Sequence, residues 1–190
     1  ERSGTRTGLP FGHYGYTGGR RPQVAHVPVI VPLAWFGMGL PSREAAHAAL
    51  GERSSPAARI TLGSAAMTAW DLFLDPQMVG EGYWTWVRRG VYRGIPLSNY
   101  AGWLLTGFGI MAVFEFVLRV DTPLRARVQR TDEHAPGPDV RLVGQYGYMS
   151  VMQTLGFARY FRDPVVAAVG GAAMLPIAAA ATKNLLGGGH

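Results

Sequence analysis

The stretch Pro164–Thr182, PVVAAVGGAAMLPIAAAAT, carries no charged side chain and is apolar on every side of the helix it would form. A helix on the surface of a soluble domain keeps a polar face, whereas a bilayer crossing takes roughly 20 apolar residues in a row. Pro176 is expected to kink it. Asn99–Val120, NYAGWLLTGFGIMAVFEFVLRV, reads the same way, with Glu115 the only acid inside it.

Working outward, Pro56–Val79 is long enough to cross but holds Arg59, Asp71 and Asp75. Val27–Leu40 is too short alone and needs Pro41–Leu50 to complete a span. Leu142–Phe161 contains Gln145, Tyr146, Tyr148 and Gln153, as a core helix shielded by others would. We therefore expect an all-α fold, a polytopic transmembrane bundle of four to five helices in one domain over residues 1–186. Residues 121–140, with Pro123, Pro136, Gly137 and Pro138, read as a polar loop. Residues 187–190 read as a flexible tail. The competing reading is a soluble helical protein with an unusually apolar core.

Composition agrees. Of 190 residues 48% are hydrophobic and 16% charged, where a soluble domain has about 25% charged. The 26 Gly and 13 Pro suit transmembrane helices, where small residues let backbones approach. A mean hydropathy of only +0.08 reflects dilution by arginine-rich loops. The chain opens on Glu1 with no basic-then-apolar leader, so further sequence is expected upstream. Without cysteine, this stretch has no disulfide, thiolate nucleophile or iron–sulfur ligand. If all five segments cross, the 18 Lys and Arg divide evenly between the two sides, and the positive-inside rule sets no orientation. The net charge of +6 fits anionic headgroups. Nucleic acid is not expected, because the basic residues sit at helix ends and are not interleaved with aromatics.

Within Pro56–Val79, Thr61, Ser64, Thr68, Asp71 and Asp75 step by three or four residues and so share one helical face. A charge facing lipid costs at least about 2.5 kcal/mol, so this face should turn inward. Two carboxyls one turn apart in a medium of low dielectric repel, so one should be protonated, paired or metal-bound. The structural alternative is salt bridges to Arg88, Arg89 or Arg93. Pro76 should kink or end the helix, and Gln77, Glu81, Tyr83, Trp84 and Trp86 follow as a polar and aromatic rim.

Several chemistries find no support. The histidines at 13, 26, 47, 134 and 190 are dispersed, unlike those of di-iron hydroxylases, and no nucleotide-binding glycine motif follows a strand. Gly107-Phe108-Gly109 reads as helix packing. Acid–base work by carboxyls remains, as does diphosphate binding through Mg²⁺. Adding water to a trisubstituted alkene needs a positioned acid to protonate one carbon and a water to capture the tertiary cation. Tryptophan faces stabilise such a cation.

Five stretches then carry a resemblance. Pro10–Tyr16 (PFGHYGY), Val27–Trp35 (VPVIVPLAW), Thr68–Met78 (TAWDLFLDPQM), Glu81–Trp86 (EGYWTW) and Tyr92–Trp103 (YRGIPLSNYAGW) resemble motifs of the membrane carotenoid-biosynthesis family that includes gamma-carotene and bisanhydrobacterioruberin hydratases. They cover residues 1 to about 105 in order; the last third is similar only in hydropathy. The resemblance implies an all-helical membrane enzyme, in a prokaryotic cytoplasmic membrane, that hydrates the terminal double bond of an acyclic carotenoid end group. It implies no cofactor, with membrane lipids and other carotenoid-pathway membrane enzymes as neighbours.

The roles come from the chemistry. Asp71 or Asp75 is the expected proton donor, and the other acid or Glu81 places the water; Glu1 is a weaker candidate. Tyr14, Tyr16, Gln77, Arg93 and Asn99 are candidates to bond the water or tune the acids. Trp70, Trp84 and Trp103 are candidates to line the polyene groove, or else serve as interfacial anchors. Two other functions compete. In a membrane prenyltransferase, Asp71 and Asp75 would hold Mg²⁺ and a prenyl diphosphate, although no second acid-rich motif follows within Asn99–His190. In a non-enzymatic subunit the same surfaces would bind pigment or lipid.

Overall fold

A computed structural model describes residues 6–17, 22–24, 27–51, 53–128 and 137–187, with backbone alone over 117–128. Glu1, His26, His134 and tail residues 188–190 lie outside the described residues. The chain is mostly helical. Its order is β1 (Tyr14–Tyr16), β2 (Gln23–Val24), β3 (Val27–Pro28), α1 (Ile30–Leu50), α2 (Pro56–Gly80), β4 (Trp84–Trp86), α3 (Leu97–Val128), α4 (Val140–Leu155) and α5 (Pro164–Gly187). One π-helical turn, Gly156–Tyr160, extends α4.

Helix α2 lies between α1 and α3, and α5 closes the far side against α1, α2 and α4. The backbones of α1 and α3 stand apart, which leaves a seam that side chains such as Trp35 and Trp103 bridge. Small residues set the close approaches. A Cβ on Gly170 of α5 would sit 2.5 Å from the Phe73 ring, and one on Gly63 would meet Met111 Sδ at 2.9 Å.

Apolar surroundings require that backbone polar groups be met within the protein. A proline inside a helix cannot donate to the carbonyl four residues back. For Pro41 that carbonyl is Gly37, and Gln145 Nε2 of α4 donates to it at 3.1 Å. For Pro76 it is Leu72, and the Tyr92 hydroxyl donates to it at 2.9 Å. Neither proline therefore ends its helix: α1 runs through Pro41 as one piece, and α2 runs past Pro76 to Gly80. The last carbonyls of α1, on Ala48 and Ala49, accept from Asn184 Nδ2 at 3.0 and 2.9 Å.

Arg43, Glu44, Arg59 and Glu115, all inside helices, are paired. Arg59 Nη2 lies 2.5 Å from Glu115 Oε1, Arg43 bonds Glu44, and Glu44 Oε2 accepts from the Asp139 N–H at 2.9 Å. Helix α2 starts conventionally, with Ser55 accepting from the Ala58 N–H at 3.2 Å and Pro56 in the first turn.

Three differences from the sequence reading have physical causes. Two short two-stranded ribbons accompany the helices, β1 with β4 and β2 with β3. Helix α3 continues on helical backbone to Val128, into the stretch read as loop, since no helix breaker intervenes before Pro123. Gly187 ends α5 and does not open a tail. Among the described residues two helices, over Leu97–Phe116 and Pro164–Gly187, are long and apolar enough to cross a membrane.

Candidate active site

The site is assembled where five elements meet, β1, α1, α2, β4 and α3. Helix α2 supplies Asp71 and Asp75, one turn apart on its inward face. Both are almost fully buried, at 1% and 3% exposure, and so is Asn99 in the first turn of α3, at 2%. The Asn99 amide nitrogen bridges the pair, donating to Asp75 Oδ2 and reaching Asp71 Oδ2 at 3.4 Å. Trp84 Nε1 of β4 donates to Asp75 Oδ1 at 3.2 Å.

Pairing of β1 with β4 brings the N-terminal motif over this group. Tyr14 lies opposite Trp86 and Tyr16 opposite Trp84, with bonds from Val87 N–H to His13 O (2.9 Å) and Thr17 N–H to Tyr83 O (3.1 Å) continuing the ladder. Trp86 Nε1 donates to Phe11 O at 3.2 Å. The result is a wall of rings. Tyr14 tilts on Trp86 at 5.7 Å, Tyr16 meets Trp84 edge-on at 5.9 Å, and Trp35 stacks on Trp103 at 3.8 Å and 18°.

These residues enclose a cavity of about 20 Å³, lined by Tyr14, Tyr16, Trp35, Asp71, Asp75, Trp84, Trp86, Asn99 and Trp103 with Val31 and Leu74. A single water needs roughly 10–15 Å³ and two to four polar partners. The chamber therefore has room and ligands for one water. An apolar cavity of about 160 Å³ adjoins it, sharing Tyr16, Val31, Trp35, Leu74 and Trp84.

Of the residues proposed from sequence, Asp71, Asp75, Asn99, Tyr14, Tyr16, Trp84 and Trp103 come together. Others stand apart. Glu81 is exposed at the C-terminal cap of α2 and does not line the chamber. Gln77 is half-buried one turn earlier, also outside the lining. Trp70 lies behind Trp35, edge-on at 5.9 Å. Arg93 Nη2 bonds Asp163 Oδ1 at 2.6 Å and does not line the chamber; its backbone holds φ +51° in a tight loop where Gly90 meets Ile95 too closely for any side chain. The upper part of the polar stripe is spent locally. The Ser64 and Thr68 hydroxyls donate to Ile60 O and Ser64 O within α2 (2.7 and 2.9 Å), and Thr61 is exposed. Among the described residues no group of three or more His, Cys, Asp or Glu is placed to hold a metal ion.

Sequence reasoning assigned no role to Trp35 or Tyr100. Trp35 lines the chamber and both neighbouring spaces. Tyr100 packs beside Trp86 and Ile95, and its hydroxyl is buried without a hydrogen-bond partner. A lone aromatic in an apolar run gives no periodic signal, so neither stood out.

Outside the helices, burial and the neighbouring Asp163 push the Tyr92 hydroxyl up to about 12, so it stays a donor to Leu72 at ordinary pH. Burial raises Asp163, but the Val166 N–H (3.0 Å) and Arg93 outweigh it and hold this carboxyl below its usual range.

Fold and site together define a helical bundle with a buried, amide-bridged carboxyl pair under an aromatic canopy. The chain belongs to the carotenoid biosynthesis protein family, whose model matches residues 1–175. It is similar to a bisanhydrobacterioruberin hydratase of Haloarcula japonica, 35% identical over 118 residues. That match covers 61% of this chain, and the chain spans about 40% of the relative's length. No solved structure matches it.

Proposed function

We propose that the protein is a membrane-embedded hydratase that adds water across the terminal C=C of an acyclic carotenoid end group. The observation that carries this reading is a chamber with room for one water, lined by a carboxyl pair with its bridging amide and walled mostly by rings. The family and the hydratase relative support it.

The chemistry assigns distinct roles. Asp75 takes N–H donors from both Asn99 and Trp84, which suits it to work as the ionised base. Asp71 is then the proton donor. Its O–H proton passes to the less substituted alkene carbon, the π pair becomes the new C–H bond, and a tertiary cation remains. The water oxygen bonds that carbon and gives a proton to Asp75, forming a tertiary alcohol. The next water to enter takes up the proton from Asp75 and passes one to Asp71, which restores both carboxyls. Ring faces of Trp35, Trp84 and Trp103 stabilise the cation. Positioned proton transfer of this kind contributes roughly 10²–10⁴-fold.

Embedding in a membrane is supported by the two long apolar helices. Their outward side chains include Leu105, Val113 and Phe116 on α3 and Val165 and Leu186 on α5, all at least half exposed.

The test is conversion of an acyclic carotenoid in oxygen-18 water. One labelled oxygen in the product, absent with Asp71→Asn, supports the reading. A pigment bound but never hydrated, across several end groups, would replace it with a binding subunit.

A further inference from the structure

The seam between α1 and α3 opens into a groove of about 550 Å³, lined by Val31, Pro32, Trp35 and Phe36 on one side and by residues from Trp103 to Phe114 on the other. Three of its residues, Val31, Trp35 and Trp103, also line the carboxyl chamber, and two of them line the enclosed 160 Å³ cavity. Trp35 thus borders all three spaces, and Trp103 stacked on it borders the groove and the chamber.

Their sizes and walls differ in a useful way. The chamber holds one water. The enclosed cavity has space for the end of a hydrocarbon and little more. The groove is long, running from Trp103 to Phe114 on α3, about 16 Å of helix at 1.5 Å per residue. Its lining is hydrocarbon apart from Thr106, whose hydroxyl donates to Gly102 O at 2.9 Å. A peptide or a headgroup would find its polar atoms unmet there. A long unsaturated hydrocarbon would lose nothing.

We propose that this groove is the berth for the body of an extended acyclic isoprenoid, which enters sideways between α1 and α3. Its end group passes Trp35 into the enclosed cavity, so that the terminal double bond lies against the carboxyl chamber. This placement rests on the hydratase reading for its chemistry and on the walls that the three spaces share for its geometry. It makes the groove, and not the chamber, the part that measures chain length.

Gly109 provides the test, because a Cβ there meets nothing within 4 Å and a larger side chain fills the groove without displacing the bundle. Intact protein in lipid nanodiscs is titrated with a C40 acyclic polyene, with binding read by quenching of tryptophan fluorescence. Gly109→Phe should weaken binding at least tenfold, whereas Leu105→Phe, on an exposed face outside the groove, should not. In turnover, the ratio of kcat/KM for the C40 substrate to that for a ten-carbon acyclic terpene with the same end group should fall at least tenfold.

Unchanged polyene affinity in Gly109→Phe overturns the proposal. So does an equal loss of rate on both chain lengths. A drop in thermal midpoint with Gly109→Phe and no change in affinity would show protein packed in the groove, and also overturns it. If the wild type binds the polyene in this groove but hydrates neither substrate, the hydratase reading fails while the berth stands.

Discussion

The Tyr92 hydroxyl donates at 2.9 Å to the Leu72 carbonyl, the one that Pro76 leaves without its helical partner. The bond therefore ties the loop after β4 to the turn of α2 that carries both aspartates. Tyr92→Phe should cost about 1–3 kcal/mol, the penalty for a buried acceptor left unmet. In a Pro76→Ala background, where the N–H returns, the same substitution should cost little. Denaturation of the four proteins in detergent gives the coupling directly, and additive effects would contradict the assignment.

At the carboxyl pair, Asp71→Asn and Asp75→Asn should each lower kcat by roughly 10²–10⁴-fold with polyene binding retained. Asn99→Leu should impair turnover as well, because the bridging amide is lost. Product analysis in oxygen-18 water, alongside a binding titration, separates loss of chemistry from loss of fold.

Tyr100→Phe distinguishes two roles for a hydroxyl buried without a partner beside Trp86. As a structural residue it pays a desolvation cost, and its removal should leave stability equal or higher, by up to about 1 kcal/mol. A fall in kcat together with that unchanged or raised midpoint would place the hydroxyl in the reaction.

Acid should loosen the loop that presents Arg93. Asp163 accepts from Arg93 and caps α5 through the Val166 N–H, which holds its folded pKa below the unfolded value. Its contribution is therefore complete above the unfolded carboxylate pKa, about 3.9, and is lost as pH falls from there through the folded value. Asp163→Asn should flatten the stability profile in that window, measured as thermal midpoint against pH.

Gly170→Ala should destabilise by about 1–3 kcal/mol, since its Cβ would press on the Phe73 ring at 2.5 Å. Gly109→Ala, which meets no atom within 4 Å, serves as the neutral comparison.

Much of this was legible from periodicity. Asp71 and Asp75 stand at i and i+4 in a helix whose Ser55–Pro56 start and apolar run are plain, and their burial follows from the charge they carry. Spacing could not reveal the partners that arrive from elsewhere. The Tyr14–Tyr16 strand is too short to show alternation, so its pairing with Trp84–Trp86 had no local signal. Pro76 read as a kink or an end because the side chain that answers it, Tyr92, lies on another element. Arg93 looked like a partner for the aspartates of α2, but the turn at Gly90–Gly94 aims it at Asp163.

A chamber of about 20 Å³ also has a kinetic meaning. Each turnover would consume its sole occupant, so the next cycle waits for a fresh molecule to cross an apolar canopy. Turnover should then follow the activity of water in the surrounding medium as well as the concentration of polyene. In a dehydrated lipid phase the same residues would run the step backwards, drawing water out of a tertiary alcohol, and the direction would be governed by wetness and not by the protein.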